Sequence, residues 1–376
     1  MIKVLNIISD SNIGGAGKVL LNFMEKTDRS TFDHTVIVPE KAQLTPKLKS
    51  LDLTVVEMAH IGEKSLSLKA IGAFKQEFER FCPNLIHTHA SLSARIAARQ
   101  WGKCAIIHTR HSAYPQGRIK TSFPVKNVLG FINNRYSDVI IAVSPATCEN
   151  LTDTGTNPNK IITMLNGVQP LKRLSDAERN AGRSSLGIAK GDFVCSIIAR
   201  LVPEKGHSYV IQAAQMLRDL PVRFIIAGSG PGEQELRDYA SALGLDSCIF
   251  TGFVDDVTLI NNISDLQLNA SYGTEASSLS LLEGFSLGNP AVVSDFGGNP
   301  YHIDEGKNGN IVPKCDANAL AKAIRKLYEE PETLARMSKA AEDSYKNRFT
   351  AEIMTANIED VYHKTLAQYY PTDSQR

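Results

Sequence analysis

The chain has 376 residues, enough for two domains of ordinary size, each with a buried core of its own. Its 43% hydrophobic and 22% charged residues are globular values, and a formal net charge of +1 gives no reason to expect a nucleic-acid partner. The six cysteines, at 82, 104, 148, 195, 248 and 315, include no CxxC pair and no metal-ligand spacing, which excludes a disulfide framework.

Met1 leads directly into an apolar, β-branched run at 2–8, so no signal peptide is expected. A Gly-rich turn and a helical pattern at 18–25 follow. Strand-like runs recur at 35–38, 53–56, 85–87, 105–108 and 139–144, with helical patterns at 66–81 and 91–101. This alternation predicts a doubly wound α/β domain with a parallel sheet. It pauses after Asn166-Gly167-Val168-Gln169-Pro170, and the charged stretch from Lys172 to Arg183 reads as a linker. Strands at 193–199, 223–227, 248–251, 266–270 and 291–294, with helices at 207–217, 233–243, 317–328 and 332–345, then predict a second unit of the same kind. A last helix is expected over 351–369, with Thr350 as its N-cap, before a frayed polar tail at 371–376. No run approaches the roughly 18 apolar residues of a membrane span. The expected location is the cytoplasm, with any membrane contact at the inner surface.

Charge is unevenly placed. Residues 1–170 carry 20 Lys and Arg against 13 Asp and Glu, and the rest carries 21 against 27. No acidic residue occurs between Glu79 and Asp138, a stretch that includes Arg95, Arg110, Arg118, Lys120, Lys126 and Arg135. Such a field attracts anionic ligands or lipid surfaces, although a solvated basic face would look the same.

Four constellations stand where chemistry is expected. Ser11-Asn12-Ile13-Gly14-Gly15-Ala16-Gly17 joins the first strand to a helix, where glycines let backbone N–H groups approach an anion. It is neither a Walker A loop nor GxGxxG, and a tight turn explains it equally well. In Ala199-Arg200-Leu201-Val202-Pro203-Glu204-Lys205-Gly206, an Arg and a Lys five apart on one loop can converge on a diphosphate. Glu275 and Glu283 bracket the start of a short helix at 279–287 and should lie on the order of 10 Å apart. One carboxylate could reach a sugar and the other the ribose of one nucleotide, although Ser280-Leu281-Leu282-Glu283 also reads as a capping box. Finally, His87-Thr88-His89 and His108-Thr109-Arg110-His111 end two strands. Ligands bind at the carboxyl ends of strands in such sheets, and alternation along a strand predicts that at most one His of each pair points into a site. No His, Asp and Glu set has convincing metal-ligand spacing, and Asp255-Asp256 reads as a helix start.

Taken in order, these pieces resemble the GT4-type retaining glycosyltransferases of the GT-B fold. Residues 199–206 are similar to the family's GRL..EKG loop, Ala227-Gly228-Ser229-Gly230-Pro231 to its G.G turn, and Thr251-Gly252-Phe253-Val254 to the turn that holds the base. Glu275 through Glu283 matches the E-x7-E signature, and residues 293–300 and 308–313 match later landmarks. The resemblance implies two Rossmann-like doubly wound domains facing a cleft. These would be an acceptor-binding domain at 1–170, a nucleotide-sugar-binding domain at 171–349, and a C-terminal helix at 350–376 crossing back to the first.

The site roles are likewise implied by the resemblance. Arg200 and Lys205 would bind the donor diphosphate, Glu275 the donor sugar's hydroxyls and Glu283 the ribose. Gly228, Phe253 and Val254 would line the nucleotide, and Ser277 and Ser278 the donor pocket. The N–H groups of Leu279 and Ser280 would meet the phosphate, Gly14 and Gly15 would let the first domain close over it, and His111 would lie near the reacting sugar. The implied reaction is hexosyl transfer with retention from a nucleotide sugar, UDP by default, to a glycan or lipid-linked acceptor in cell-surface polysaccharide synthesis. Neither metal nor cofactor is expected, and peripheral association with an anionic membrane is. One departure stands out. Where the family has Gly, and then Gly or Pro, this chain has Ala276, Ser277 and Ser278, whose side chains should crowd the donor pocket. Two rival classes stay open: a nucleotide-sugar 2-epimerase of the same fold, and a catalytically silent nucleotide-sugar-binding partner.

Overall fold

The structure, a computed structural model, describes residues 1–62 and 66–370. The expected frayed tail lies outside the described residues. The chain divides into two compact units, Met1–Gly167 with Ala351–Arg376, and Val168–Thr350.

The first unit holds a parallel sheet of seven strands: β1 (Ile2–Ile8), β2 (Phe32–Pro39), β3 (Thr54–Met58), β4 (Leu85–His89), β5 (Ala105–Arg110), β6 (Val139–Ala142) and β7 (Ile161–Thr163), in the order β3-β2-β1-β4-β5-β6-β7. The second holds six: β8 (Phe193–Ile198), β9 (Val222–Ala227), β10 (Cys248–Gly252), β11 (Leu266–Asn269), β12 (Ala291–Ser294) and β13 (Gly309–Val312), in the order β10-β9-β8-β11-β12-β13. Every pairing between strands is parallel. Strands buried on both faces explain why β4, β11 and β12 read as continuous rather than alternating patterns. Helices cover the sheets through apolar stripes. Phe74 and Phe78 of helix Leu68–Phe81 pack on Ile7, Ile86 and Ile106, while Val210, Ala214 and Ile324 do the same work on Ile197 and Phe224.

Two strands are absent from the sequence reading. β7 has three residues, too few to show a period, and β13 opens on Gly309, which matched only as a landmark. The charged stretch read as a linker is also different. It folds as helix Asp176–Ser185, started by a capping box in which Ser175 accepts from the Glu178 N–H and the Glu178 carboxylate accepts from the Ser175 N–H. Arg183 ties this helix to the sheet, donating to Asp265 Oδ2 at 2.9 Å and to the Ile263 carbonyl. Arg179, which donates to the Asn262 carbonyl, and Arg183 are anchors, while Lys172, Arg173, Asp176 and Glu178 stay exposed.

The C-terminal helix Ala351–Tyr369 belongs to the first unit, and Tyr362 is its main anchor. The fully buried ring meets Phe23, Phe32 and His87 edge-on at 5.6–5.9 Å. Its hydroxyl lies 2.7 Å from His87 Nδ1.

Candidate functional site

In each sheet the strand order reverses once, between β1 and β4 and between β8 and β11. Loops leaving the carboxyl ends of strands at such a point diverge and open a crevice. The second unit places its motif residues there.

After β8 the chain turns through Arg200 and a short 3-10 turn, Pro203–Lys205. Arg200 is exposed and makes no ion pair among the described residues. Lys205 points back across the crevice. Its Nζ donates to Glu275 Oε2 at 2.8 Å and to the Thr274 carbonyl at 3.0 Å. An ammonium has three N–H donors, so one remains. Glu275 is buried, and Oε2 also accepts from Asn269 Nδ2 at 3.1 Å and Ser271 Oγ at 3.3 Å. Three donors fix one oxygen, while Oε1 accepts no hydrogen bond among the described residues.

A further layer of polar groups holds this arrangement. Asn299, fully buried, donates to Asn269 Oδ1 and Ser294 Oγ. Gly297, at φ +59°, and Gly298 lie directly against the loop that carries Glu275, and the Gly298 N–H donates to the Glu275 carbonyl at 2.9 Å. A Cβ on Gly298 would coincide with the Ala276 carbonyl oxygen, so only glycine fits. Asn269, Ser271 and Asn299 were not singled out in the sequence. Their signal is a small polar residue at a strand end or beside a glycine pair, too common to read alone.

Ser278 is the N-cap of helix Leu279–Phe285, yet its side chain makes no cap bond. Its hydroxyl lies 3.1 Å from Ser280 Oγ, which donates to the Ile198 carbonyl. Ser280 is therefore inside the first turn, and the capping-box alternative for residues 280–283 does not hold. The N–H groups of Leu279 and Ser280 open the helix and have no intrahelical acceptor. Ser277 Oγ lies 3.1 Å from Nε2 of His302, a fully buried imidazole pushed down to about 4 chiefly by burial. The hydroxyls of Ser277 and Ser278 are thus both engaged within the unit. Glu283, one helical turn further on, is half-buried. Gly228, at φ +142°, backs onto the Ala199 carbonyl, and its N–H donates to the Gly252 carbonyl at 2.8 Å. That bond joins the turns after β9 and β10. Beyond it Phe253 is 72% exposed, a large ring with no burial to explain it, and Val254 packs on the core. Asp255-Asp256 does stand just before a helix, Thr258–Ile263, whose N-cap is Val257, and Asp256 Oδ1 accepts from the Thr258 N–H.

The first unit gathers imidazoles. His87 and His89 are two residues apart, so they share a face of β4, and their ring centroids lie 4.5 Å apart. Alternation therefore does not separate these two histidines; His87 is instead set apart by its partners, Tyr362 and Thr109, which engage both ring nitrogens within the unit. His111 joins them from beyond β5, with Nε2 at 2.8 Å from His89 Nδ1 and the rings stacked at 5.0 Å. His108 faces the other way and contacts Thr88. Burial pushes His111 down to about 4, helped by Arg110, and His87 to about 3, so both are neutral at pH 7. His89 is held well below the usual range for the same reason. With Nε2 engaged, His111 keeps Nδ1 as its remaining donor or acceptor. Gly14 precedes helix Gly15–Lys26, and the space where a Gly15 Cβ would sit is open. Packing within the unit therefore does not demand glycine there. At Gly17 a Cβ would sit 3.1 Å from the Leu44 side chain, a tight contact that a small shift of that side chain could relieve.

No group of three or more His, Cys, Asp or Glu able to hold a metal occurs among the described residues, and no described helix is long and apolar enough to cross a membrane.

Two parallel doubly wound units, one with a lysine–glutamate pair at its switch point, are an architecture shared with known transferases, and comparison with known proteins gives the class. Residues 178–344 match the family described as glycosyl transferases group 1, and residues 13–170 match glycosyltransferase family 4. The chain belongs to the GT4-type glycosyltransferases, with the GT-B fold. It is 24% identical, over 96% of both chains, to an Escherichia coli UDP-Gal:α-D-GlcNAc-diphosphoundecaprenol α-1,3-galactosyltransferase. A Pseudomonas aeruginosa D-rhamnosyltransferase, WbpZ, is 36% identical over 39% of each chain. The crystal structure of Anabaena HepE in complex with UDP superposes with a TM-score of 0.84, at 22% identity, covering 96% of this chain and 100% of that one.

Proposed function

We propose that the protein transfers a hexose, with retention and without a metal, from a UDP-sugar to a lipid-linked glycan acceptor in cell-surface polysaccharide synthesis. The observation that carries this reading is the state of Glu275. One oxygen is immobilised by Lys205, Asn269 and Ser271, and the other is left as an acceptor for a sugar hydroxyl. The same contact leaves one Lys205 N–H for a phosphate, beside the exposed Arg200. A departing nucleoside diphosphate gains charge on its β-phosphate, and Arg200, Lys205 and the first N–H groups of helix Leu279–Phe285 would stabilise it without a metal. Phe253 offers an exposed ring for the base, and Glu283 an acceptor for the ribose. His111, a neutral imidazole, suits a sugar hydroxyl. No carboxylate is assigned as a nucleophile, and a front-face route in which the acceptor attacks on the leaving-group side fits that assignment. UDP and a diphosphate-linked lipid acceptor are supported by the relatives named above.

Peripheral docking on an anionic membrane belongs to the same reading. Helices Arg118–Thr121 and Val125–Arg135 bury only Gly130, and they leave Ile119, Phe131 and Val128 exposed among Arg118, Lys126 and Arg135. Each cation near an anionic surface contributes about 1 kcal/mol. Arg118→Glu combined with Lys126→Glu should therefore weaken binding to phosphatidylglycerol vesicles at least about tenfold, and unchanged binding would remove docking from the reading.

The donor is tested by thermal stabilisation with UDP, GDP, ADP and their sugar conjugates on wild type and Glu275→Gln. A ligand at about 100 times its dissociation constant adds roughly 2.7 kcal/mol. The expected result is a UDP-sugar that stabilises the wild type beyond bare UDP and loses that advantage in Glu275→Gln. No shift with any nucleotide would overturn the transferase reading in favour of a silent chain.

A further inference from the structure

Among the cavities of the first unit that the reading above leaves unused, one is lined by cations. It encloses about 230 Å³ among helix Leu92–Trp101, the end of β5, and helices Val125–Arg135 and Pro145–Asp153. Three cations line it, Arg95, Arg110 and Lys120, and no carboxylate does.

Arg95 is 5% exposed. Its Nη1 donates to Ser137 Oγ at 3.1 Å and Asn133 Oδ1 at 3.4 Å, both neutral, and its buried Nε has no partner. Arg110 is half-buried and donates to the Tyr114 hydroxyl at 2.7 Å and the Ser112 carbonyl at 3.3 Å. Arg110 and Lys120 both lie over the Tyr114 ring, at 5.4 and 5.3 Å from its centroid. Neutral donors adjoin them. Asn150 Oδ1 is taken by the Tyr114 N–H and by Gln116, which leaves the Asn150 amide nitrogen as a donor at the cavity.

Buried guanidinium groups are normally paired, because an uncompensated charge out of water is costly. In this unit the pairing is made elsewhere. Arg99 bonds Asp138 at 2.6 Å, whereas Arg95 and Arg110 make no ion pair among the described residues. Two guanidinium groups and an ammonium lining one cavity together with Asn150 and no carboxylate supply the donors that phosphoryl oxygens need. The cavity also continues into the segment with the exposed apolar side chains. Lys120, Leu129 and Ile132 form its wall, while Ile119, Phe123 and Phe131 of the same segment are exposed.

We propose that this cavity is a phosphoryl-binding site, and that it takes the diphosphate of the acceptor. The second part rests on the lipid-linked acceptor read above. Arg95 forms the floor, Arg110 and Lys120 the rim, and the apolar segment 118–135 receives the chain attached to the diphosphate.

The test measures binding of inorganic pyrophosphate, and of a short-chain alkyl diphosphate-linked sugar, by calorimetry with UDP saturating. It compares wild type, Arg200→Ala, and Arg110→Gln combined with Lys120→Gln. The paired variant alters two partly exposed side chains, and a retained UDP-induced melting shift verifies its fold. Both probes should weaken at least about tenfold in the paired variant, as expected for loss of charge-assisted hydrogen bonds, and keep their affinity in Arg200→Ala. Unchanged pyrophosphate affinity in the paired variant overturns the site. Pyrophosphate weakened while the alkyl diphosphate sugar binds as in wild type overturns the acceptor as the source and leaves a site for free phosphate ions. A phosphoryl site that passes this test in a protein that transfers sugar to no diphosphate-linked acceptor would mean that the acceptor reading, not the site, has failed.

Discussion

The two units use the same topology to opposite electrostatic ends. Each sheet reverses order beside its central strand, and each carries its polar cluster at the carboxyl end of the strands there. In the second unit the cluster is ionic: Lys205 and Glu275, 2.8 Å apart, braced by Asn269, Ser271 and a glycine pair. In the first it is neutral: His89 lies between His87 and His111 in ring contact with each, and burial pushes the pKa of all three down so that they stay uncharged. A rigid ionic cradle suits a ligand whose charge grows during reaction, and a stack of uncharged imidazoles suits hydroxyl groups. Topology supplies the place, and the side chains decide the chemistry.

Acid should separate the two most strongly. His34 and His111 are pushed down to about 4 and His87 to about 3, each chiefly by burial, from an ordinary value of 6.5. Below pH 6.5 the unfolded chain binds protons that the folded unit refuses. Stability is therefore complete above that pH and is lost as pH falls from 6.5 toward 4, by an amount on the order of several kcal/mol. The second unit has two such groups, His207 and His302, so its loss should be smaller. Hydrogen exchange at pH 7.5 and pH 5 reads this directly. Protection in β4 and β5 should fall more than in β8 and β11, and equal losses would remove the contrast.

Breaking the ionic cradle comes next. Glu275→Ala leaves the Lys205 ammonium, 14% exposed, without its counter-charge and should cost about 3–5 kcal/mol in urea unfolding of the second unit. Lys205→Met combined with Glu275→Leu should recover most of that stability while leaving donor binding abolished. If the double variant is no more stable than Glu275→Ala, the loop is held by its glycines and amides rather than by the pair.

The neutral side has a milder test. Tyr362→Phe removes the hydroxyl that lies 2.7 Å from His87 Nδ1 and leaves the ring packing intact. The expected loss is about 1–2 kcal/mol, confined to the first unit, because a buried imidazole nitrogen is left unsatisfied. No loss would mean that the C-terminal helix is held by its apolar face alone.

What could be read in the sequence follows the same division. β1 and β12 were legible to the residue, β1 from a long apolar run with β-branched residues and β12 from a short one bounded by Gly288, Pro290 and Gly297. Helix Val125–Arg135 was not. It buries only Gly130, which sits against Gly155, so it has no core-facing stripe to produce a period. Helix Asp176–Ser185 was hidden by its charges and buries only Gly182, being held inward by Arg179 and Arg183 rather than by an apolar stripe. At the candidate site, Lys205 and Glu275 stood out as charged residues at fixed spacing. Asn269 and Asn299, which hold Glu275 in place, are ordinary polar residues whose value exists only once β11 and the turn after β12 are adjacent. The His89–His111 pair is of the same kind, since 22 residues and a strand crossover separate its members.

The smallest expected effect concerns the point where this chain departs from its family. Ser278 caps helix Leu279–Phe285 by position only, and its hydroxyl is used on Ser280, which passes the bond to the Ile198 carbonyl. An N-cap serine replaced by glycine costs a few tenths of a kcal/mol even where its side chain caps, so Ser278→Gly should leave unfolding unchanged within about half a kcal/mol. Ser277→Gly should cost more, about 1 kcal/mol or above, because Ser277 is the side-chain partner of the buried His302 Nε2. The two variants therefore separate crowding from support. If the serines only crowd the donor, Ser278→Gly tightens UDP-sugar binding at no cost in stability. If the Ser278 hydroxyl is a working donor to phosphate, the same variant weakens UDP while unfolding stays where it was. The bond to Ser280 favours the first outcome, since a hydroxyl already placed within the helix start must break that contact before it can reach a ligand.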